Sequence, residues 1–526
     1  MPLRRLLHII DSVENVTQPL SILPSKQKAR RRVFSAEGII KGFFGCNALV
    51  AIVVLALITI FLFREGFGFF GQNLANLRLY RRAGLEYVDI IRDQAESQAA
   101  LVRWLNQIGL AETDQASRTQ LDQFAEKFAA AGVELSTLLS DASDQALALR
   151  EAIILQDAGV TAETDPTEPV SEKTPATPFN EKESLAALRG NTPKFESIAT
   201  SMEQNIRPLI GSAPQLSNVK AQQSFAKWKG RAAEYLNHLP IAVDQLRHWD
   251  PTVPIPWHRS ITTFLFGKDW VTASFWQDWY GIIPLLTGSI LVSVVALLIA
   301  VPFGVSAAIY VSEVAAHGEK SLIKPYIEFI SAIPSVVLGF FGIAVVGETI
   351  RALSQASFMK WVPFFPLSER LNAFTAGSLL ALMAVPTIFT LAEDALRNVP
   401  RGFKEASYAL GANRLQTIAR VLVPASLSGI ISAILLGLGR VIGETMVVLL
   451  CAGNRIAIPD FTQGLGAFFQ PVHTMTGIIA QEMGEVVRGS IHYRALFMVG
   501  LVLFVLTLGI NYLAQKLVAR YRMSIG

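Results

Sequence analysis

Apolar residues in this chain are gathered into six long runs, separated by polar stretches of very unequal length. A bilayer-crossing helix needs about 20 mostly apolar residues, and six segments meet that length. The first, 42–63, holds no charge between Lys41 and Arg64. The second lies within 279–312. The third, 326–347, has only Glu328 near its start. The fourth, 372–392, is uncharged, and the fifth, 426–451, carries Arg440 and Glu444. The sixth lies within 495–515. A single run of this kind is as easily a buried core helix. Six of them predict an all-α polytopic membrane protein with six transmembrane helices. The run at 42–63 is longer than the roughly 7–15 residues of a secretory signal and has no small-x-small site after it, so it reads as a retained anchor.

Lys and Arg beside a span mark its cytoplasmic side. Before the first run stand Lys26, Lys28, Arg30, Arg31, Arg32 and Lys41; between the fourth and fifth, Arg397, Arg401, Lys404, Arg414 and Arg420; after the sixth, Lys516, Arg520 and Arg522. The long loop at 452–494 holds only Arg455, Arg488 and Arg494. Six spans with both termini cytoplasmic satisfy these loops, and the loop around Lys320 and Lys324 is then cytoplasmic too. Residues 1–41 form a cytoplasmic segment and 64–278 fall outside, in the periplasm.

The outside region is itself helical in pattern. Leu85, Val88, Ile91, Leu101, Val102, Leu105 and Ile108 recur at helical spacing, and Leu121, Phe124, Phe128, Val133, Leu138 and Leu139 continue it. Phe225, Trp228, Ala232, Tyr235 and Leu239 share another helical face. Between these lies a Pro-, Thr- and Glu-rich stretch near 161–183 that reads as a flexible loop. The expectation is a small helical bundle. Trp270, Trp276 and Trp279 precede the second run and suit an aromatic belt at the membrane interface. His238 and His248 read as surface histidines.

Composition narrows the class. Charged residues are 17% of the chain, against about 25% in globular proteins, and mean hydropathy is +0.39. A net charge of +4 gives no reason to expect nucleic acid. Cys46 and Cys451 fall in or at the ends of apolar runs, which excludes a disulfide framework or thiolate metal site. No metal spacing or enzyme motif is found, and no G-x-x-x-x-G-K-[ST] phosphate loop; any ATP-driven motor must sit on another chain.

Two places carry chemistry. In the basic loop 397–424, Pro400 stops or starts a helix and a short helix runs through Glu405 to Leu410. Gly411 permits a tight reversal, and a second helix from about Arg414 to Leu422 leads to Pro424. Two short helices around a glycine make a projecting knob able to pass force between a soluble partner and the spans; an ordinary amphipathic loop is the plainer reading. The second place is Arg440 with Glu444. Counted from the start of the fifth run, Arg440 lies roughly 21 Å along a helix, near the bilayer middle, and Glu444 four residues on shares its face. A charge there costs about 2.5–3.5 kcal/mol on insertion scales and faces a bundle interior or a water-filled path. Either the two ions only neutralise each other and lock the fold, or the planar guanidinium serves a tetrahedral oxyanion with Glu444 holding it in reserve. Ser331, Ser335, Thr387 and Thr390, beside Pro334 and Pro386, read first as partners for freed carbonyls and second as pore lining.

The knob resembles the EAA loop of ABC importer permeases: Glu405, Ala406, Ser407, Gly411, Val421, Val423 and Pro424 stand in its spacing, with Ser407 and the two valines as departures. The stretches 329–342, 439–446, 452–454 and 489–497 further resemble the phosphate-importer permeases of the PstC family. The sister PstA family shares the loop and the Gly-Glu-Thr, but Met446 and the Ala-Gly-Asn at 452–454 are nearer PstC. The resemblance covers roughly 280–526 and, by position, the first run; 64–278 is largely an insertion. It implies a type I permease core within 279–526. It also implies a PstB-like ATP-binding dimer engaging Glu405, Ala406, Gly411 and Pro424, a PstA-like second permease and a PstS-like periplasmic phosphate-binding protein. ATP and Mg would sit on the partner ATPase, with no cofactor and no enzyme activity on this chain, which resides in the bacterial inner membrane. Arg440 and Glu444 would line the phosphate path. The rivals are a membrane-anchored sensor, which needs neither knob nor mid-span charge, and a permease for another oxyanion such as molybdate or sulfate.

Overall fold

The computed structural model describes residues 36–157 and 180–521, apart from positions 113, 213, 215, 360 and 363. Most of the 161–183 stretch and residues 1–35 lie outside the described residues. The chain divides into two compact units, 1–61 and 62–526. In the first, the described residues belong to helix α1 (Ala36–Arg82), and its apolar side chains, Phe43, Leu49, Ile52 and Leu57 among them, are exposed as a lipid-facing surface would be.

Within the second unit, α1 does not stop at Phe63. It runs on to Arg82, with Phe69, Asn73, Leu77 and Tyr80 buried on one face. The charges from Arg64 onward end the apolar run without ending the helix, since none of them breaks one. A bundle follows: α2 (Leu85–Ala111), α3 (Gln115–Ala130), α4 (Val133–Asp157), α5 (Glu181–Arg189), α6 (Thr192–Gly211) and α7 (Val219–His248). Its core is the set of helical stripes read from sequence, from Leu85 through Leu246, although Val133 is exposed. Trp228 sits at the centre. Its ring stacks on Phe225 at 5.5 Å, meets Phe124 and Phe128 edge-on, and its Nε1 donates to the Leu101 carbonyl at 3.0 Å.

After α8 (His258–Phe266), a two-residue ribbon pairs β1 (Trp270–Val271) antiparallel to β2 (Trp279–Tyr280). The tryptophans here do not form a membrane belt. Trp270 is buried against Tyr280. Trp276 donates its Nε1 to Asp89 Oδ1 at 2.7 Å beneath the Arg92 guanidinium, 3.7 Å from its ring centroid. Trp279 packs edge-on against Tyr80. They tie the ribbon to the bundle.

The permease core comprises α9 (Ile283–Ile309), α10 (His317–Ala332), α11 (Ser335–Phe341), α12 (Gly347–Gln355), α13 (Ala373–Arg397), α14 (Arg401–Ala409), α15 (Arg414–Thr417), α16 (Val423–Gly443), α17 (Met446–Cys451), α18 (Met475–Glu482) and α19 (Ile491–Tyr521). Six helical stretches are long and apolar enough to span: Ile40–Arg82, Ile283–Val314, Ser335–Gln355, Ala373–Arg397, Arg414–Gly443 and Ile491–Ala519. Two differ from expectation. The third starts at Ser335, because Pro334 forces the preceding Ile333 into an extended conformation (ψ 123°) and cuts α10 away. The fifth ends at Gly443 rather than at Cys451. The central pair, α9 and α13, approaches closely through small residues: a β-carbon on Gly377 would fall 2.6 Å from Val295.

Candidate functional site

The knob begins where Pro400 caps α14 with an extended ψ of 137°. Gly411 lies in the left-handed region, φ 81°. A β-carbon there would meet nothing, so the backbone angle alone selects glycine. Asn413 caps α15 by accepting from the Gln416 amide at 2.8 Å, while the Gln416 side chain accepts from the Asn413 amide at 3.0 Å. Ser407, the departure from the EAA pattern, shares a 2.9 Å hydrogen bond with Thr417 and cross-links the two legs. A π turn, Ile418–Leu422, then carries the chain into α16, with Pro424 in its first turn. Glu405 and Ala406 are exposed, and so are Leu410 (88%) and Leu415 (74%). These apolar tips lie beside a cavity of about 470 Å³ between the legs.

Arg440 and Glu444 are not arranged as the spacing suggested. Arg440 occupies the last turn of α16, and Glu444 falls past the helix end with an extended ψ of 134°. They share no helix face and form no ion pair among the described residues. Arg440 is exposed and donates from Nη1 to Thr387 Oγ1 on α13 at 3.1 Å. Its place in the last turn of α16 is the favourable end of a helix for a cation. Glu444 caps α17 by accepting from the Met446 amide at 3.1 Å, and its carbonyl accepts from Thr476 Oγ1 at 2.9 Å.

The break after Gly443 is held by the returning loop. Gly453 and Asn454 both have positive φ, and Asn454 Nδ2 donates to the Leu449 carbonyl at 2.8 Å. The Val472 amide donates to the Ala452 carbonyl at 2.8 Å. His473, buried, accepts at Nδ1 from the Thr474 amide at 3.0 Å, which leaves Nε2–H to donate to Gln481 Oε1 at 3.2 Å. Burial holds its imidazole below the ordinary histidine pKa.

Sequence reasoning missed several of these groups. Thr387 was weighed first as a backbone partner, as Ser331 and Thr390 are, donating to Glu328 and Pro386 carbonyls; it is instead the hydroxyl that holds Arg440. Glu393 on α13, 1% exposed, is paired with Lys324 of α10 at 2.7 Å and Arg397 at 3.0 Å. The available signal was the pair of carboxylates Glu393 and Asp394 closing an apolar run, with Lys320 and Lys324 in a polar stretch two runs earlier.

An apolar six-helix core carrying a two-legged knob and a broken fifth helix defines an importer permease. Residues 300–523 match the family model described as "Binding-protein-dependent transport system inner membrane component", and the chain belongs to that family. It is 36% identical over 245 residues to the probable ABC transporter permease protein YqgH of Bacillus subtilis, covering 45% of this chain and 72% of the relative. It is 30% identical to the phosphate transport system permease protein PstC of Pasteurella multocida (50% and 82% covered) and 31% identical to that of Haemophilus influenzae (50% and 84%). Among solved structures it resembles an inward-facing MetNI methionine ABC transporter at 19% identity and a TM-score of 0.33, covering 46% of this chain and 94% of that one.

Proposed function

We propose that this permease carries phosphate and forms one half of the path, with a PstA-like permease completing it. A PstS-like binding protein delivers the anion from the periplasm. A PstB-like dimer hydrolyses Mg-ATP and engages the knob through Glu405, Ala406, Gly411 and Pro424. Both termini and the knob lie in the cytoplasm, and the bundle lies in the periplasm.

The observation that carries the reading is the state of Arg440. Its guanidinium is exposed within the single subunit, and its side-chain hydrogen bond among the described residues goes to the neutral Thr387 hydroxyl. A planar fork with unspent donors matches two oxygens of a tetrahedral oxyanion. Glu444, half-buried beyond the helix end, keeps negative charge near the path and so limits how tightly an anion is held, as conduction requires. The PstC-named relatives support phosphate over sulfate or molybdate.

The test is solute-dependent ATP hydrolysis by the assembled transporter with its binding protein. Phosphate is expected to stimulate hydrolysis, with sulfate and molybdate inert. Stimulation by either of those and not by phosphate overturns the assignment of cargo.

A further inference from the structure

The knob is fastened to a second span as well as to the one it leads into. Glu313 lies in the π turn, Tyr310–Val314, that ends α9. Its carboxylate, 8% exposed, accepts from Lys404 Nζ of α14 at 2.7 Å and from Ser312 Oγ at 3.1 Å. Its backbone carbonyl accepts from the Arg414 guanidinium of α15, which also reaches the Val314 carbonyl at 3.4 Å. Lys320 Nζ closes the same turn on the Ser312 carbonyl at 3.0 Å. Thus one residue of α9 receives both legs of the reversal, one at its side chain and one at its main chain. Both helices that meet the knob, α9 and α16, do so through a π turn, a deviation that concentrates at functional sites.

We propose that Glu313 is a positioning residue that locks the knob to α9, so that a push from the ATPase moves α9 together with α16 and Arg440. This rests on the reading of the knob as the ATPase coupling element. The Glu313 carboxylate is enclosed and held by both Lys404 and Ser312, so the pair keeps its geometry while the exposed tips of the knob are free to engage another protein. The pair joins segments 91 residues apart in sequence, which makes it a strut between elements.

The experiment uses the complete transporter in proteoliposomes and reads the ratio of binding-protein-stimulated to basal ATP hydrolysis, and solute moved per ATP. Glu313→Gln is expected to lower the coupling ratio by roughly tenfold, the scale of a lost charged hydrogen bond. Glu313→Lys and Lys404→Glu are each expected to uncouple, and the double swap to regain most of the ratio. A coupling ratio unchanged in Glu313→Gln, or a double swap no better than the worse single, overturns the proposal. If Glu313→Gln fails to assemble, Lys404→Gln breaks the same pair from its more exposed side and is read the same way. Leu410→Glu, at an exposed tip that makes none of the hydrogen bonds to Glu313, tests the underlying reading separately. If it leaves coupling intact, the knob is not the docking element, whatever Glu313 does.

Discussion

At the scale of single residues, Thr387 and His473 carry the sharpest expectations. Thr387 sets the direction of the Arg440 fork with one neutral hydrogen bond, a contact worth about 0.5–1.5 kcal/mol. Thr387→Val keeps the shape and removes the hydroxyl; it is expected to raise KM for phosphate uptake several-fold, whereas Thr387→Ser restores it. Equal KM in Val, Ser and wild type would leave Thr387 without a role in the path. His473 gives a pH dependence. Its pKa is depressed by burial, so near that pKa the folded chain binds fewer protons than the unfolded one. Stability is therefore full above the unfolded value of about 6.5 and is lost as pH falls below it toward the depressed folded value. The melting temperature is expected to drop on acidification from about pH 7.5 to 5.5 and to drop less in His473→Asn, since one group contributes at most about 1.4 kcal/mol per pH unit. Parallel slopes would assign the acid sensitivity elsewhere. In the sequence Thr387 reads second as pore lining and His473 carries no signal, because a hydroxyl near a proline and a histidine in a loop take their meaning from what the fold places opposite them.

At the scale of elements, apolar length and periodicity were informative and helix ends were not. The stripes from Leu85 to Ile108 and from Phe225 to Leu239 predicted α2 and α7, and nearly every residue named in them is buried. The knob was readable down to its turn, because Gly411, Asn413 and Pro424 are residues whose backbone chemistry admits few alternatives. Pro334 reads in sequence as a source of freed carbonyls rather than as the start of a span, and Gly443 gives no sign of a helix end: a bilayer-length run reads as one span whether or not a breaker divides it. The same error put Glu444 on the helix with Arg440, and it reversed the picture of a preformed bridge. The tryptophans before α9 were misplaced for a related reason, since amphipathic rings near a span suit an interface and an inter-domain seam equally. The bundle's integrity depends on Trp228. Trp228→Ala removes a ring packed against Phe225, Phe124 and Phe128 and is expected to cost about 3–5 kcal/mol. The measurement is limited proteolysis of the full chain: cleavage should accelerate within 85–248 and leave the permease spans protected. Unchanged protection of the bundle would place its core elsewhere.

At the scale of the whole molecule, this is a family permease with a helical bundle between its first and second candidate spans. The ribbon that precedes the second span is held to the bundle by a polar and aromatic cluster, with Arg92, Trp276 and Tyr80 meeting around the Asp89 carboxylate. Apolar length and helical periodicity sufficed to see a membrane protein and a helical bundle between its first two spans. Cargo and partners are properties of an assembly, and only the resemblance and the donor set of Arg440 bear on them. If the account is right, that guanidinium contributes two charged hydrogen bonds to the passing anion, each worth about 1.5–3 kcal/mol. The most direct measurement is the initial rate of phosphate uptake into vesicles carrying the assembled transporter with wild-type chain, Arg440→Ala or Arg440→Lys, with co-purification of the partners confirming assembly. Uptake is expected to fall at least about a hundredfold in Arg440→Ala and to recover only partly in Arg440→Lys, which keeps the charge but not the fork. Wild-type uptake in a fully assembled Arg440→Ala transporter would contradict the account.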